Sequence, residues 1–146
     1  MNPLKQSVCL LALLLLSACA PTAVPTPQIK TVTINVKEFA YAPAQINAKV
    51  GEAIQINFVN AGSVLHDFSI QKIALKGKAV AVGDSHDMSG MSGMAKEDPA
   101  VHVAANAGKT GTVTFTPTEA GEYEFNCTVA GHKAAGLVGK LIVVAP

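Results

Sequence analysis

The chain has 146 residues, with eleven lysines and no arginine set against ten acidic residues, for a formal net charge of +1. So even a balance leaves no electrostatic footprint for nucleic acid and no strongly charged partner surface. The length allows one hydrophobic core and therefore one domain.

Residues 1–18 read as an export signal: Lys5 gives the positive start, Val8 to Leu16 is an almost wholly apolar core, and the small residues Ser17 and Ala18 follow. The apolar run is shorter than the roughly 20 residues a spanning helix needs. Leu16-Ser17-Ala18-Cys19 resembles the bacterial lipobox, whose last residue is acylated and becomes the new N-terminus. The mature chain is then expected to begin at a lipidated Cys19 and to sit outside the cytoplasm on a bacterial membrane, in the periplasm or at the cell surface. A plain cleaved signal that releases a soluble protein is the alternative. Residues 19–28 are Pro/Thr-rich and are expected to form an extended, semi-rigid tether, with residues 29–146 as the folded domain.

Within that domain Val32, Ile34 and Val36 alternate with polar residues, the period of a strand. A turn near Ala42-Pro43 leads to a strand over Gln45–Val50, and Gly51-Glu52 turns the chain into Ile54, Ile56 and Phe58. After the loop Asn60-Ala61-Gly62-Ser63, residues His66–Ile70 open another strand. Thr112–Phe115, Tyr123–Cys127 and Val138–Val144 are the last three, parted by Pro117 and Ala120-Gly121. Short strands, regular turn signals and no helical period predict an all-β antiparallel sandwich or barrel.

Residues 71–107 break the pattern. Ile73–Val82 suggests a short hairpin around Lys76-Gly77, and residues 83–99 are rich in Gly, Ser, Asp and Met without apolar period. The whole stretch is predicted to be a flexible, Met-rich insertion across one end of the sandwich. Within it His86, Met88, Met91 and Met94 form a candidate second site, since thioethers on a flexible loop suit Cu(I). A solvated loop without ligand, or a Met lent to another site, explains the same residues. His102 lies beyond the loop, where it joins that site or is simply exposed.

Once the signal is removed, Cys127 is the lone thiol of the domain, so a disulfide within it is impossible and either metal ligation or inert burial explains it. Cys127 and His132 lie five residues apart between two predicted strands, where both can reach one ion, and His66 arrives from a different strand. Two imidazoles and one thiolate are the donor set of an electron-transfer copper site.

Val50-Gly51-Glu52, Asn60 to Phe68 with His66, Phe115-Thr116-Pro117, Ala120 to Cys127, Gly131-His132 and Gly139-Lys140 together resemble the cupredoxin family of blue type 1 copper proteins, plastocyanin- and azurin-like. The resemblance implies a Greek-key β-sandwich and gives His66, Cys127 and His132 the equatorial copper positions. It also places Leu137 where the family commonly has an axial Met. Leucine cannot ligate, so the site is expected to be three-coordinate, or to take its axial ligand from the Leu65 carbonyl or a Met of the insertion. Without a thioether the reduction potential is expected to be raised.

The function expected is that of a membrane-tethered one-electron carrier holding one type 1 copper, not an enzyme. It is expected to be a monomer whose redox protein partners dock on the small apolar rim of His132, formed by Ala134, Ala135, Gly136 and Leu137. The alternative is an extracytoplasmic copper-binding or delivery protein, capturing a second ion as Cu(I) with the Met loop.

Overall fold

The computed structural model describes residues 28–84 and 98–146. Among the described residues ten strands run β1 (Ile29–Lys37), β2 (Ala40–Ala42), β3 (Gln45–Lys49), β4 (Ala53–Asn60), β5 (His66–Ile70), β6 (Val80–Val82), β7 (Val101–Ala105), β8 (Thr110–Phe115), β9 (Gly121–Asn126) and β10 (Val138–Val144). They form two five-stranded sheets, ordered β2-β1-β4-β8-β6 and β3-β10-β9-β5-β7. Among the described residues no helix is long and apolar enough to cross a membrane.

The alternation read in the sequence decides which side chains face inward. In β4 every second residue is buried, Ile54, Ile56, Phe58 and Asn60 in turn, and β1 contributes Ile34 and Val36. The facing sheet supplies Phe68, Ile70, Phe125, Leu141 and Val143. Phe125 stacks on Phe68 and meets Tyr41 edge-on, with ring centroids 4.8 and 5.2 Å apart. Gly139 makes room for this cluster, because a Cβ there would lie 2.2 Å from the Phe125 ring and 2.7 Å from the Ala44 carbonyl.

Three expectations need correction. The sheets are mixed, with β1 parallel to β4 and β3 parallel to β10. These pairings arise because the chain passes from one sheet to the other between neighbours, which hydrophobic alternation does not encode. The hairpin around Lys76-Gly77 is absent: β6 pairs with β8, and Leu75 bridges Pro117. Finally, much of the stretch 71–107 belongs to the framework. β7 is an edge strand of the second sheet, antiparallel to β5, and Val101, Val103, Ala104 and Ala105 are buried. Four of its five residues are buried and only His102 is part-exposed, so Val-His-Val-Ala-Ala carries too little alternation to be read as a strand. His86, Met88, Met91 and Met94 lie outside the described residues, as does Cys19.

Candidate metal centre

His66 is the first residue of β5, Cys127 follows β9 directly, and His132 lies on the loop between β9 and β10. The paired edges of the second sheet therefore bring thiol and imidazoles to one pole. One ligand atom from each of the three lies within 4.8 Å of the others. Cys127 Sγ is 3.4 Å from His132 Nδ1, and the two imidazole centroids are 4.9 Å apart.

Backbone bonding fixes both approaches before any ion arrives. On the Cys127 side the loop is closed at its base by Cys127 N–H to the Leu137 carbonyl at 3.2 Å. It is coiled by His132 N–H to Val129 O, Ala135 N–H to Gly131 O and Leu137 N–H to His132 O, at 2.9–3.1 Å. On the other side buried Asn60 ties down the loop into His66. Its Nδ2 donates to the carbonyls of Val64 and Ala105, both at 2.8 Å, and its Oδ1 accepts from Gly62 N–H at 2.9 Å. Gly62 itself is needed for the close approach, since a Cβ there would stand 3.0 Å from His66 Nε2.

Two of the three donors, His66 and Cys127, are buried, and His66 is short of partners. His66 is fully buried, and neither of its ring nitrogens has a hydrogen-bond partner in the protein. Such groups are costly to bury unless something else satisfies them. Burial, then the neighbouring His132, holds the His66 imidazole below its ordinary range, which favours the neutral form that binds metals. Burial, and next the negative charge of Asp67, pushes the Cys127 thiol up to about 12. A cation is what this pocket is built to receive: it would take a lone pair from His66 and hold the sulfur as thiolate.

Sequence reasoning missed the shell around these three. Asp67, fully buried, donates its backbone N–H to Cys127 Sγ at 3.4 Å, and its carbonyl accepts from Tyr41 Oη at 2.6 Å. Its carboxylate accepts from Thr128 N–H at 2.8 Å and from the Thr128 hydroxyl in a short contact. The signal was present in the sequence as an acid directly after a candidate ligand, within a predicted strand. His102, expected on the exposed side, is instead 23 % exposed with Nε2 3.5 Å from the Asp67 carboxylate. The rim of His132 also differs from expectation. Ala134, Ala135 and Gly136 are exposed, but Leu137 is fully buried and takes no part in the surface. Its place is taken by Phe39, 47 % exposed, whose ring meets that of His132 edge-on at 5.6 Å.

Residues 28–144 match the copper binding proteins of the plastocyanin/azurin family. The chain belongs to that family. It is 37 % identical over 105 residues to the copper-resistant cuproprotein CopI of Rubrivivax gelatinosus, covering 70 % of this chain and 59 % of that protein's length. With auracyanin-A of Chloroflexus aurantiacus it shares 30 % identity over 116 residues, 73 % of this chain and 68 % of the relative. The solved structure of auracyanin B superposes with a TM-score of 0.59 at 22 % identity, covering 83 % of this chain and 92 % of that one, a likeness of fold. This member of the family is thus an all-β cupredoxin-like sandwich with one candidate His/Cys/His metal site among the described residues.

Proposed function

We propose that this protein is a mononuclear type 1 copper protein that works outside the cytoplasm as a one-electron carrier, tethered to a bacterial membrane through Cys19. The observation that carries the reading is the convergence of His66, Cys127 and His132 in a pocket that leaves both His66 nitrogens unpartnered. Copper in such a donor set exchanges one electron between its cuprous and cupric states. The protein's part is to hold the donors still. The loop closed at Cys127 and Leu137, and the Asn60 ties behind His66, oppose rearrangement between the two states. The Asp67 N–H directed at Sγ draws density from the sulfur. Half-buried His132 is the route to the surface, and Phe39 with Ala134, Ala135 and Gly136 offers a redox partner a small apolar rim for weak, transient docking. Leu137 stands where the family resemblance implies a methionine, whose thioether would be a further weak donor to a bound ion, so Leu137→Met is expected to lower the potential.

Copper loading of a Cys19→Ser chain tests the main site. A strong visible thiolate-to-copper band, one copper per chain and reversible electrochemistry are expected; a colourless, copper-indifferent protein overturns the reading. The same substitution tests the tether, because it should move the protein from the membrane to the soluble fraction.

A second reading, copper handling, is favoured by the likeness to a protein named as a copper-resistant cuproprotein. Here His86, Met88, Met91 and Met94 would capture a second ion as Cu(I). Loss of a second Cu(I) equivalent when the three methionines become leucine, with ready transfer to an acceptor, supports handling. One equivalent in both chains supports the carrier alone.

A further inference from the structure

The strand that delivers His66 also buries a carboxylate, and a buried carboxylate needs donors on both oxygens. Asp67 Oδ1 takes Thr128 N–H, while Oδ2 takes the Thr128 hydroxyl and faces His102 Nε2 at 3.5 Å, an electrostatic approach rather than a hydrogen bond. Thr128 is the residue after Cys127, so this clamp bolts β5 to the first turn of the ligand loop. His102 reaches it from β7. In the β5–β7 ladder Asp67 stands opposite Ala104 and Ser69 opposite His102, which makes Asp67 and His102 diagonal neighbours on one face. The carboxylate-bearing residue that His102 faces touches both the sulfur, through Asp67 N–H, and the loop that carries it.

We propose that His102 is a positioning residue for the metal centre: through Asp67 Oδ2 it steadies the clamp on Thr128, and its ring N–H offsets part of the negative charge that the carboxylate presents to Cys127. The inference rests on the copper reading above. Its consequence has a definite sign. A carboxylate beside the thiolate favours the more positive, oxidised centre; a polar N–H against that carboxylate weakens the preference. Taking His102 away therefore lowers the reduction potential, and taking the carboxylate away raises it.

The experiment is a cycle of variants of the copper-loaded Cys19→Ser chain, read by electrochemistry and by the visible charge-transfer band. In His102→Phe the ratio of oxidised to reduced protein at a fixed applied potential should rise about tenfold, roughly 59 mV for a one-electron couple. His102→Ala gives the same direction should the larger ring not be accommodated. His102→Gln, which keeps an N–H donor, should stay close to wild type. In an Asp67→Asn background the effect of His102→Phe should vanish. A potential and band unchanged in both His102→Phe and His102→Ala overturn the proposal, and so does a shift that persists undiminished beside Asp67→Asn. A parent chain that takes up no copper overturns the functional reading and with it the tuning of potential. The metal-free chain separates that failure from failure of the clamp: labelling of Cys127 by a thiol reagent should be roughly fivefold faster or more in His102→Phe, and unchanged labelling overturns the clamp itself.

Discussion

The two imidazoles of the site are held in opposite ways. His66 opens a strand, is fully buried, and is approached by a loop tied through Asn60 and crowded by Gly62. His132 rides on a coiled loop, is only half-buried, and has a half-exposed phenylalanine as its neighbour. Both come within reach of one thiol, yet one ligand belongs to the core and the other to the surface. On the proposed electron-carrier function the difference divides the labour: the core ligand would give the site its rigidity, and the surface ligand would give electrons a way in.

The largest effect should come from removing each ring in turn. Both His66→Gly and His132→Gly are expected to abolish the thiolate-to-copper band. Added imidazole should restore it in His132→Gly, where the ring removed is part-exposed, and not in His66→Gly, where the ring removed is fully buried. Titrating imidazole into each copper-loaded variant while following the visible spectrum checks this. Equal rescue of both would erase the distinction between core and surface ligand.

Next in size is Asn60→Ala, which attacks the core side alone. It strips the Val64 and Ala105 carbonyls of their donor and leaves Gly62 N–H without its acceptor. Buried groups so orphaned should lower the stability of the metal-free domain by about 2–4 kcal/mol. Denaturant unfolding measures the loss, and chelator competition should show weaker copper binding beside it. Stability held within about 0.5 kcal/mol, the usual span for surface changes, would mean that the His66 approach is not fixed by this tie.

That contrast also explains how much was legible in the sequence. His66, Cys127 and His132 were readable because a thiol and an imidazole five residues apart on a strand-bounded loop carry their own spacing, and strands such as β4 carry period two in Ile54, Ile56 and Phe58. β7 was not readable, because four of its five residues are buried and too little alternation is left. The rim was misread at Leu137: adjacency to Gly136 in sequence says nothing about a side chain turned inward. Phe39 was missed because it comes from the β1–β2 turn, far away in sequence, and only the sheet topology sets it against His132. Asp67 and Thr128 meet across a separation of 61 residues for the same reason.

Phe39 sharpens the surface side with a smaller effect. It has φ 62° in the two-residue turn between Lys37 and Ala40, a conformation a phenylalanine adopts only under strain. Phe39→Gly loses a ring contact worth about 0.5–1.5 kcal/mol but relieves a left-handed backbone that costs roughly 1–2 kcal/mol. The two nearly cancel, so the unfolding midpoint should hardly move. Access to His132 should nevertheless improve, seen as faster removal of copper by a chelator. A large stability loss with unaltered chelator kinetics would make Phe39 a core residue rather than a cover for the surface ligand.

The smallest effect concerns the contact that joins the two regions. Glu38 precedes Phe39, and its Oε1 accepts from Ser63 N–H at 2.7 Å and Ser63 Oγ at 3.0 Å, pinning the turn over His132 to the loop that leads to His66. The Ser63 backbone N–H, then its hydroxyl, holds the Glu38 carboxyl below its ordinary 4.5. A carboxyl whose folded value is depressed adds stability that is present above the ordinary value and is lost as pH falls through the depressed one. Glu38→Gln should therefore be slightly less stable than wild type at neutral pH, and the gap should close in acid, below about pH 4. The group is fully exposed, so the gap is small and screened by salt. Unfolding midpoints of both metal-free chains at pH 7 and pH 3 decide it, and a gap of constant size would show that Ser63 binds the Glu38 oxygen without regard to its charge.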